Sequence, residues 1–400
     1  MVEATPDLRR EPPTDLSSVG EDDGLVALIR EEIRRDGPMP FARFMWLSLY
    51  DPTGGYYVAD EGRPGRAGDF ITAPELHPIF GATLSGVVLE TWRRIGEPDV
   101  LTIREYGPGT GALAVALLGA LRGTPLEGRV RYQPVEVAGR SLEGLRARLA
   151  DAGIEAVLDG PTDPLEPIVG IVLANEVLDA LPVHRVRRRG GAFRELAVGL
   201  DPDDALVEVE VAPSTPALAA RLVEEGIELV EGQTAEICLA LEDWVGGAAA
   251  GLVRGLLLLI DYGASAENLY DPVRRRDGTL RAYVRHQVHD DPYRHVGRQD
   301  LTAHVDVTAV ERAAHDAGLT TVGITSQAEA LIGLGIEDRL RAIQADPTTP
   351  LEDYLVVRSS LMRLLDPAAM GRFQVMGFGR DWSDDGPPLS PFAYRIPGRR

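Results

Sequence analysis

Beyond residue 99 the apolar positions of this chain fall into short, nearly continuous runs. "VLTIREY" (100–106), "VRYQPVEV" (130–137), "PIVGIVLA" (167–174) and "LLLLIDYG" (256–263) are strand-sized. Between them, "GALAVALLGALRG" (111–123) and "SLEGLRARLADAG" (141–153) space their apolar residues as helices do. "EAVLDG" (155–160) reads as a weak strand. Alternating strand and helix, with strands apolar throughout, predicts a parallel sheet covered on both faces. Before residue 99 the pattern is helical. "LVALIREEIRRDG" (25–37) is amphipathic and ends on a capping glycine. "PFARFMWLSLYDPTGGYY" (40–57) is a helix broken by Asp-Pro and Gly-Gly, and "IFGATLSGVVLETWRRIG" (79–96) is a further amphipathic helix. "GRAGDFITAPELHPIFG" (65–81) is rich in turn formers yet studded with apolar residues, so it is expected to be packed down rather than exposed.

The alternation lapses after residue 183. "FRELAVGL" and "ALVEVEVAP" predict a hairpin, "TPALAARLVEEG" a helix, and "TAEICLALEDWVGGAAAGLVRG" (234–255) a longer helix. "VTAVERAAHDAG" (307–318) predicts a helix, and "TTVGIT" (320–325) and "RFQVMGFG" (372–379) an antiparallel pair. The expected organisation is a disordered tail over 1–24, a helical segment with a ligand-covering loop over 25–98, and an α/β domain over 99–400. That domain carries an inserted α+β subdomain at about 184–235.

Composition narrows the partners. The chain of 400 residues carries a formal net charge of −21, which disfavours nucleic acid and anionic membrane surfaces as partners. "RVRRRGG" (185–191) is read as a solvated hairpin edge. There is no lysine, so Schiff-base and P-loop lysine chemistry are excluded. The single cysteine, Cys238, permits neither an internal disulfide nor a cysteine metal cluster, and no metal is expected. It fits a reducing cytoplasm. The longest apolar run, "GLLLLI" (255–260), is too short to span a bilayer, and the N-terminus lacks the apolar segment of a signal peptide.

"EYGPGTGAL" (105–113) puts three glycines and a proline between a strand and a helix. Glycines allow a tight turn and close approach by a ligand, and the helix that follows offers free N–H groups. Glu136 falls at the end of the next strand, where a carboxylate can bind the two hydroxyls of a ribose. A nucleotide-containing ligand at the carboxyl ends of the strands is therefore predicted. Gly107, Gly109 and Ala112 satisfy the dinucleotide pattern only loosely. Glu105, two positions before the first glycine, favours instead the E/D-x-G-x-G-x-G spacing of S-adenosylmethionine (SAM) enzymes. In "ANEVLDALPV" (174–183), Asn175, Glu176 and Asp179 follow an apolar strand directly, beside the expected crevice. A cap on the next helix is the competing role for Asn175 or Asp179. His304 and Asp306 in "AHVDV" are candidates for assisting proton removal, with a core or capping role as the alternative.

Several stretches together resemble one family, the MidA-like SAM-dependent methyltransferases, which include the mitochondrial complex I assembly-factor arginine methyltransferase. They are "FMWLSLYDPTGGYY" (44–57), "GDFITAPELHPIFG" (68–81), "EYGPGTG" (105–111), "ANEVLDALPVHRV" (174–186), "LLLIDYG" (257–263), "DLTAHVDVTAV" (300–310) and "TSQAEALIGLGIEDRL" (325–340). The resemblance covers nearly everything after residue 25. It implies a Rossmann-like, seven-stranded class I methyltransferase sheet and SAM as cofactor. With SAM as the ligand, Asp69, Thr72, Glu105, Gly107, Pro108, Gly109, Gly111, Glu136 and Asn175 are expected around it, and Glu176, Asp179 and His304 at the chemistry. Val177 and Leu178 depart from the family, where aromatic residues are commoner. The implied acceptor is a protein arginine, by analogy one of a complex I subunit. A small-molecule methyltransferase, a SAM-binding assembly chaperone without turnover and an NAD(P)-dependent oxidoreductase are the alternatives. A homodimer is compatible with the sequence.

Overall fold

The computed structural model describes residues 16, 19–58, 72–136, 139–154, 157–158, 166–285, 287–383 and 385–396. The apolar runs beyond residue 99 become strands of one sheet: β1 Leu101–Tyr106, β2 Val130–Val135, β3 Val157–Leu158, β4 Ile168–Asn175, β5 Leu252–Asp261, β6 Thr320–Ser326 and β7 Gln374–Arg380. Their order across the sheet is β6-β7-β5-β4-β1-β2-β3. Strands β3, β2, β1, β4 and β5 run parallel to one another, whereas β7 is antiparallel to both β5 and β6. The "TTVGIT" and "RFQVMGFG" strands pair as expected, but helices Gln327–Gly333, Ile336–Ala345 and Leu351–Leu365 lie between them in the chain, so no tight hairpin is formed.

Burial on both faces explains the unbroken run in β5. Leu256, Leu258 and Ile260 pack on one side with helices Ile79–Arg94 and Ala112–Ala120. Leu257 and Leu259 pack on the other with helices Leu241–Ala250 and Val307–Asp316. A strand with one wet face would alternate instead. The strand order reverses between β1 and β4, and a ligand crevice opens outside the carboxyl ends of the strands at such a switch point.

A second sheet runs Met39–Pro40, Ala192–Leu200, His184–Arg189, Thr234–Ile237, with Leu206–Val211 paired to Ala192–Leu200. Two expectations are corrected here. "TAEI" (234–237) is a strand, not the start of a long helix; the helix is confined to Leu241–Ala250. Tertiary pairing decides it: Thr234 to Ile237 pair antiparallel with Arg187 to His184. "RVRRRGG" is not an edge either. His184–Arg189 lies between two strands, and its arginines meet acids: Arg185 reaches Glu208 at 2.8 Å, and Arg189 reaches Glu210 at 2.9 Å.

The N-terminal helix Asp23–Asp36 is capped by Asp22, whose Oδ1 accepts from the Leu25 N–H at 3.0 Å. Its apolar face packs with helix Phe41–Tyr50 and with Val183 and Val198, so the N-terminal segment rests against the second sheet. Of the expected disordered tail over 1–24, residues 1–15, 17 and 18 lie outside the described residues, and its end is corrected: Asp22 caps the first helix, and Asp23 and Gly24 belong to it.

Candidate active site

At the end of β1 the chain turns through three left-handed glycines: Gly107 (φ 62°), Gly109 (φ 51°) and Gly111 (φ 80°). Glycine accepts this conformation without steric cost. The three positions do different work. A Cβ on Gly107 would meet Val177 Cγ2 at 2.8 Å, and one on Gly111 would collide with Leu145. A Cβ on Gly109 would meet nothing within 4 Å. Gly109 therefore borders open space, while Gly111 is a packing residue at the start of helix Ala112–Ala120 and does not line the cavity. That removes Gly111 from the residues expected to face the ligand.

The open space is a cavity of about 740 Å³ bordered by Gly107, Pro108, Gly109 and, at the end of β2, Glu136. Glu105 lies at its base. Its carboxyl group accepts from the Tyr132 hydroxyl at 2.5 Å, and burial pushes its pKa up to about 7. Tyr106 and Trp244 form an edge-to-face wall with ring centroids 5.3 Å apart. Thr72 also lines the cavity, just before helix Ala73–Leu76, whereas Asp69 lies outside the described residues. The described end of the turn-rich segment is indeed packed down. Thr110 Oγ1 donates to Glu75 at 3.2 Å, and the Ala73 N–H donates to Glu176 Oε1 at 3.1 Å. This segment thereby lies across the glycine turn and joins it to the end of β4.

The cavity continues past Glu176 into a region of carboxyl groups and tyrosines. Glu176 itself is left-handed (φ 55°), a conformation that costs an L residue about 1–3 kcal/mol and persists where the surroundings impose it. Its backbone N–H donates to Ile260 O at 2.8 Å. Glu176 Oε1 also accepts from Asn175 Nδ2 at 3.0 Å, but its Oε2 and Asn175 Oδ1 are buried without a partner. Burial, with Asp179 and Glu75 adding to it, raises the Glu176 carboxyl to about 8. Buried polar atoms are normally satisfied, so two orphan acceptors at a cavity wall point to a donor that arrives with a ligand.

Asp179 sits in the short 3-10 turn Leu178–Ala180. The turn is pinned by Asp261 at the end of β5, whose Oδ2 accepts from the N–H groups of Val177, Leu178 and Asp179 at 3.1, 2.8 and 3.3 Å. The cap comes from a distant strand, which leaves the Asp179 side chain at the cavity. Burial, followed by Asp261 and Asp300, raises the Asp179 carboxyl well above the ordinary range. Asp300 completes the group and accepts from the Tyr57 hydroxyl at 2.8 Å. Tyr50 stacks on Tyr57 with centroids 5.5 Å apart and donates to Ala180 O at 3.0 Å. Tyr262 and Tyr283 also line this part. This half offers carboxyl groups that a nearby positive charge would help to ionise, together with aromatic faces, a surrounding suited to an organic cation.

His304 and Asp306 do not join this group. Asp306 caps helix Val307–Asp316, accepting from the Ala309 N–H at 3.1 Å. His304 lies against the edge of Tyr262 and faces a different cavity. Burial and then Arg275 push its pKa down to about 3, so it is neutral and poorly suited to take a proton. The sequence reading missed Tyr50, Tyr57, Asp261, Tyr262 and Asp300. Asp261 alone carried a usable sign, as an acid ending an otherwise apolar strand.

Residues 83–325 match the model of a family of S-adenosyl-L-methionine-dependent methyltransferases. The mitochondrial protein arginine methyltransferase NDUFAF7 homologue of Drosophila melanogaster is 30% identical, over 93% of this chain and 90% of its own length. Human mitochondrial protein arginine methyltransferase NDUFAF7 is 28% identical, over 85% of this chain and 79% of its own. Among solved structures, a candidate methyl transferase from Burkholderia thailandensis bound to S-adenosyl-homocysteine superposes with a TM-score of 0.84 at 34% identity. It covers 97% of this chain and 98% of the other.

Proposed function

The chain belongs to this family of SAM-dependent methyltransferases, and from that premise we propose that its methyl acceptor is an arginine side chain of a protein. The residues present fit the cofactor: an open face at Gly109, Glu136 beside it, and the orphan acceptor Asn175 Oδ1 across the cavity. When bound there, SAM supplies a methyl group already activated by its sulfonium charge. The protein's own contribution is then to align, desolvate and charge-match the acceptor.

The observation that carries the arginine reading is the unpartnered Glu176 Oε2 beside Asp179 and Asp300, walled by tyrosines, in direct continuity with the glycine turn. A guanidinium would donate to that oxygen and neutralise carboxyl groups that burial has made costly to ionise. The nitrogen that gains a methyl group must lose a proton. Glu176, with its carboxyl at about 8, is matched to receive it near neutral pH. The names of the relatives support the protein-arginine class. A complex I subunit is the acceptor carried forward from the sequence resemblance.

The test is transfer from SAM labelled in its methyl group to protein extracted from cells lacking the gene, followed by hydrolysis and amino-acid analysis. Label in methylarginine is expected. Label confined to small molecules, or in lysine or carboxyl groups, would contradict the reading.

A further inference from the structure

The ring of Tyr262 separates two cavities. On one side lies the acceptor cavity; on the other is a second, of about 570 Å³. Both open along the same edge of the main sheet. The first lies over the ends of β2, β1, β4 and β5. The second lies over the end of β5, the start of β7 and the end of β6, where Asp261 is in register with Gln374, and Gln374 with Ser326.

The second cavity has the opposite charge. Arg274, Arg275, Arg372 and Arg395 line it, together with neutral His304 and one acid, Glu329. Glu329 is already engaged. Its Oε2 accepts from Thr325 Oγ1, Ser326 Oγ and the Ser326 N–H, its Oε1 from the Ile396 N–H, and it is held down to about 2. Among the described residues none of the four arginines forms an ion pair, in a chain that carries a net −21. Arg395 donates to Thr325 Oγ1 and to the Phe392 and Tyr394 carbonyls, and Arg275 approaches His304 Nδ1 at 3.4 Å. Burial, then the neighbouring Arg372 and Arg281, pull the Arg275 guanidinium below its ordinary value. Asp271 and Glu236 offset part of the charge on Arg275 without pairing with it. Four guanidinium groups lining a cavity with one ionised carboxylate leave a surplus of positive charge that calls for an anion, and a planar carboxylate suits their paired donors.

We propose that this cavity binds an aspartate or glutamate side chain of the acceptor protein, about three residues from the arginine that is methylated. The inference rests on the protein-arginine reading above. Its spacing follows from the sheet. From the end of β4, which Glu176 follows, to β7 is two strand separations, roughly 10 Å at about 4.8 Å each. An extended chain covers that in about three residues at roughly 3.3 Å each. An acidic cavity beside a basic one matches a segment bearing both charges. A free phosphate would have no use for the acidic neighbour.

The experiment uses the full chain and two nine-residue peptides that differ only in Glu or Gln three positions from the single arginine. With the native protein the Gln peptide is expected to raise KM tenfold or more and leave kcat within about twofold. In the variant R274Q/R372Q, whose two side chains are exposed, the peptides should become equivalent while SAM affinity and kcat hold. R275Q should behave likewise. Equal preference for Glu in native and variant proteins, or none in the native protein, would overturn the proposal. A second arm does not depend on transfer: a fluorescein-labelled peptide with Glu and no arginine, followed by anisotropy. Binding tenfold or more weaker in the variant is expected even if no arginine peptide is methylated. Unchanged binding, or displacement by inorganic phosphate at lower concentration than by the unlabelled Glu peptide, would refute a carboxylate site.

Discussion

The cofactor half of the cleft is made largely by neighbours in sequence. Residues 105–112 supply the turn and the helix start, and Glu136 ends the adjacent strand. The acceptor half is gathered from afar: Tyr50 and Tyr57 before the main sheet, Glu176 and Asp179 after β4, Tyr262 after β5 and Asp300 between β5 and β6, with Asp261 at the end of β5 pinning the turn that carries Asp179. Chemistry differs as well. The first half presents backbone shape and one carboxylate, Glu136; the second presents buried carboxyl groups, of which Glu176 and Asp179 are raised above their ordinary values. A cofactor shared by many enzymes can be held by one local device, whereas an acceptor needs a surrounding that several segments compose. Changes in one half should therefore leave the other nearly intact.

The largest effect is expected at the glycine turn. Gly109→Val places a side chain in the open space and should weaken SAM binding at least a hundredfold by calorimetry, with a stability cost of only about 1–2 kcal/mol from its left-handed backbone. Gly111→Ala should do the reverse. Its Cβ meets Leu145, so the unfolding free energy from urea titration should fall by about 2–3 kcal/mol while the folded protein still binds SAM. If Gly111→Ala lost binding and not stability, the division between packing and ligand-facing glycines would be wrong.

Glu136→Ala comes next. Two charge-assisted hydrogen bonds to a ribose, each about 1.5–3 kcal/mol at most, would be lost, so SAM affinity should drop tenfold or more. Normal affinity would return Glu136 to a structural role.

The smallest effect is on pH dependence. The Glu176 carboxyl is raised to about 8, so below that pH its neutral form dominates in the free enzyme, and above it the carboxylate. A cationic acceptor needs the carboxylate, so kcat/KM should climb roughly fivefold or more from pH 7 to 8.5 and then level. The rising limb should vanish in Glu176→Gln. An unchanged limb in that variant would assign it to another group.

Legibility in sequence follows the same division. The strands of the main sheet were readable because burial on both faces gives runs such as "LLLLI" that solvent-facing strands do not show. "TAEI" was not, since four strand residues preceding an alanine-rich helix carry too little periodicity to separate from it. In the site, Gly107 and Gly109 follow from spacing, and Glu176 and Asp179 from their place after an apolar strand. Asp300 and the tyrosines had no local pattern, because only tertiary packing brings them to the cavity. His304 misled because a histidine near an acid looks like a base in sequence, whereas the structure surrounds it with arginines.

The division of the cleft is tested most directly on one preparation of the variant E176Q/D179N. Both amides keep shape and remove charge. SAM affinity by calorimetry should stay within a few-fold of the native protein, and single-turnover methyl transfer should fall by a factor on the order of a hundred. Transfer at the native rate would show that these carboxyl groups only shape the turn after β4, and loss of SAM binding would place them in the cofactor half.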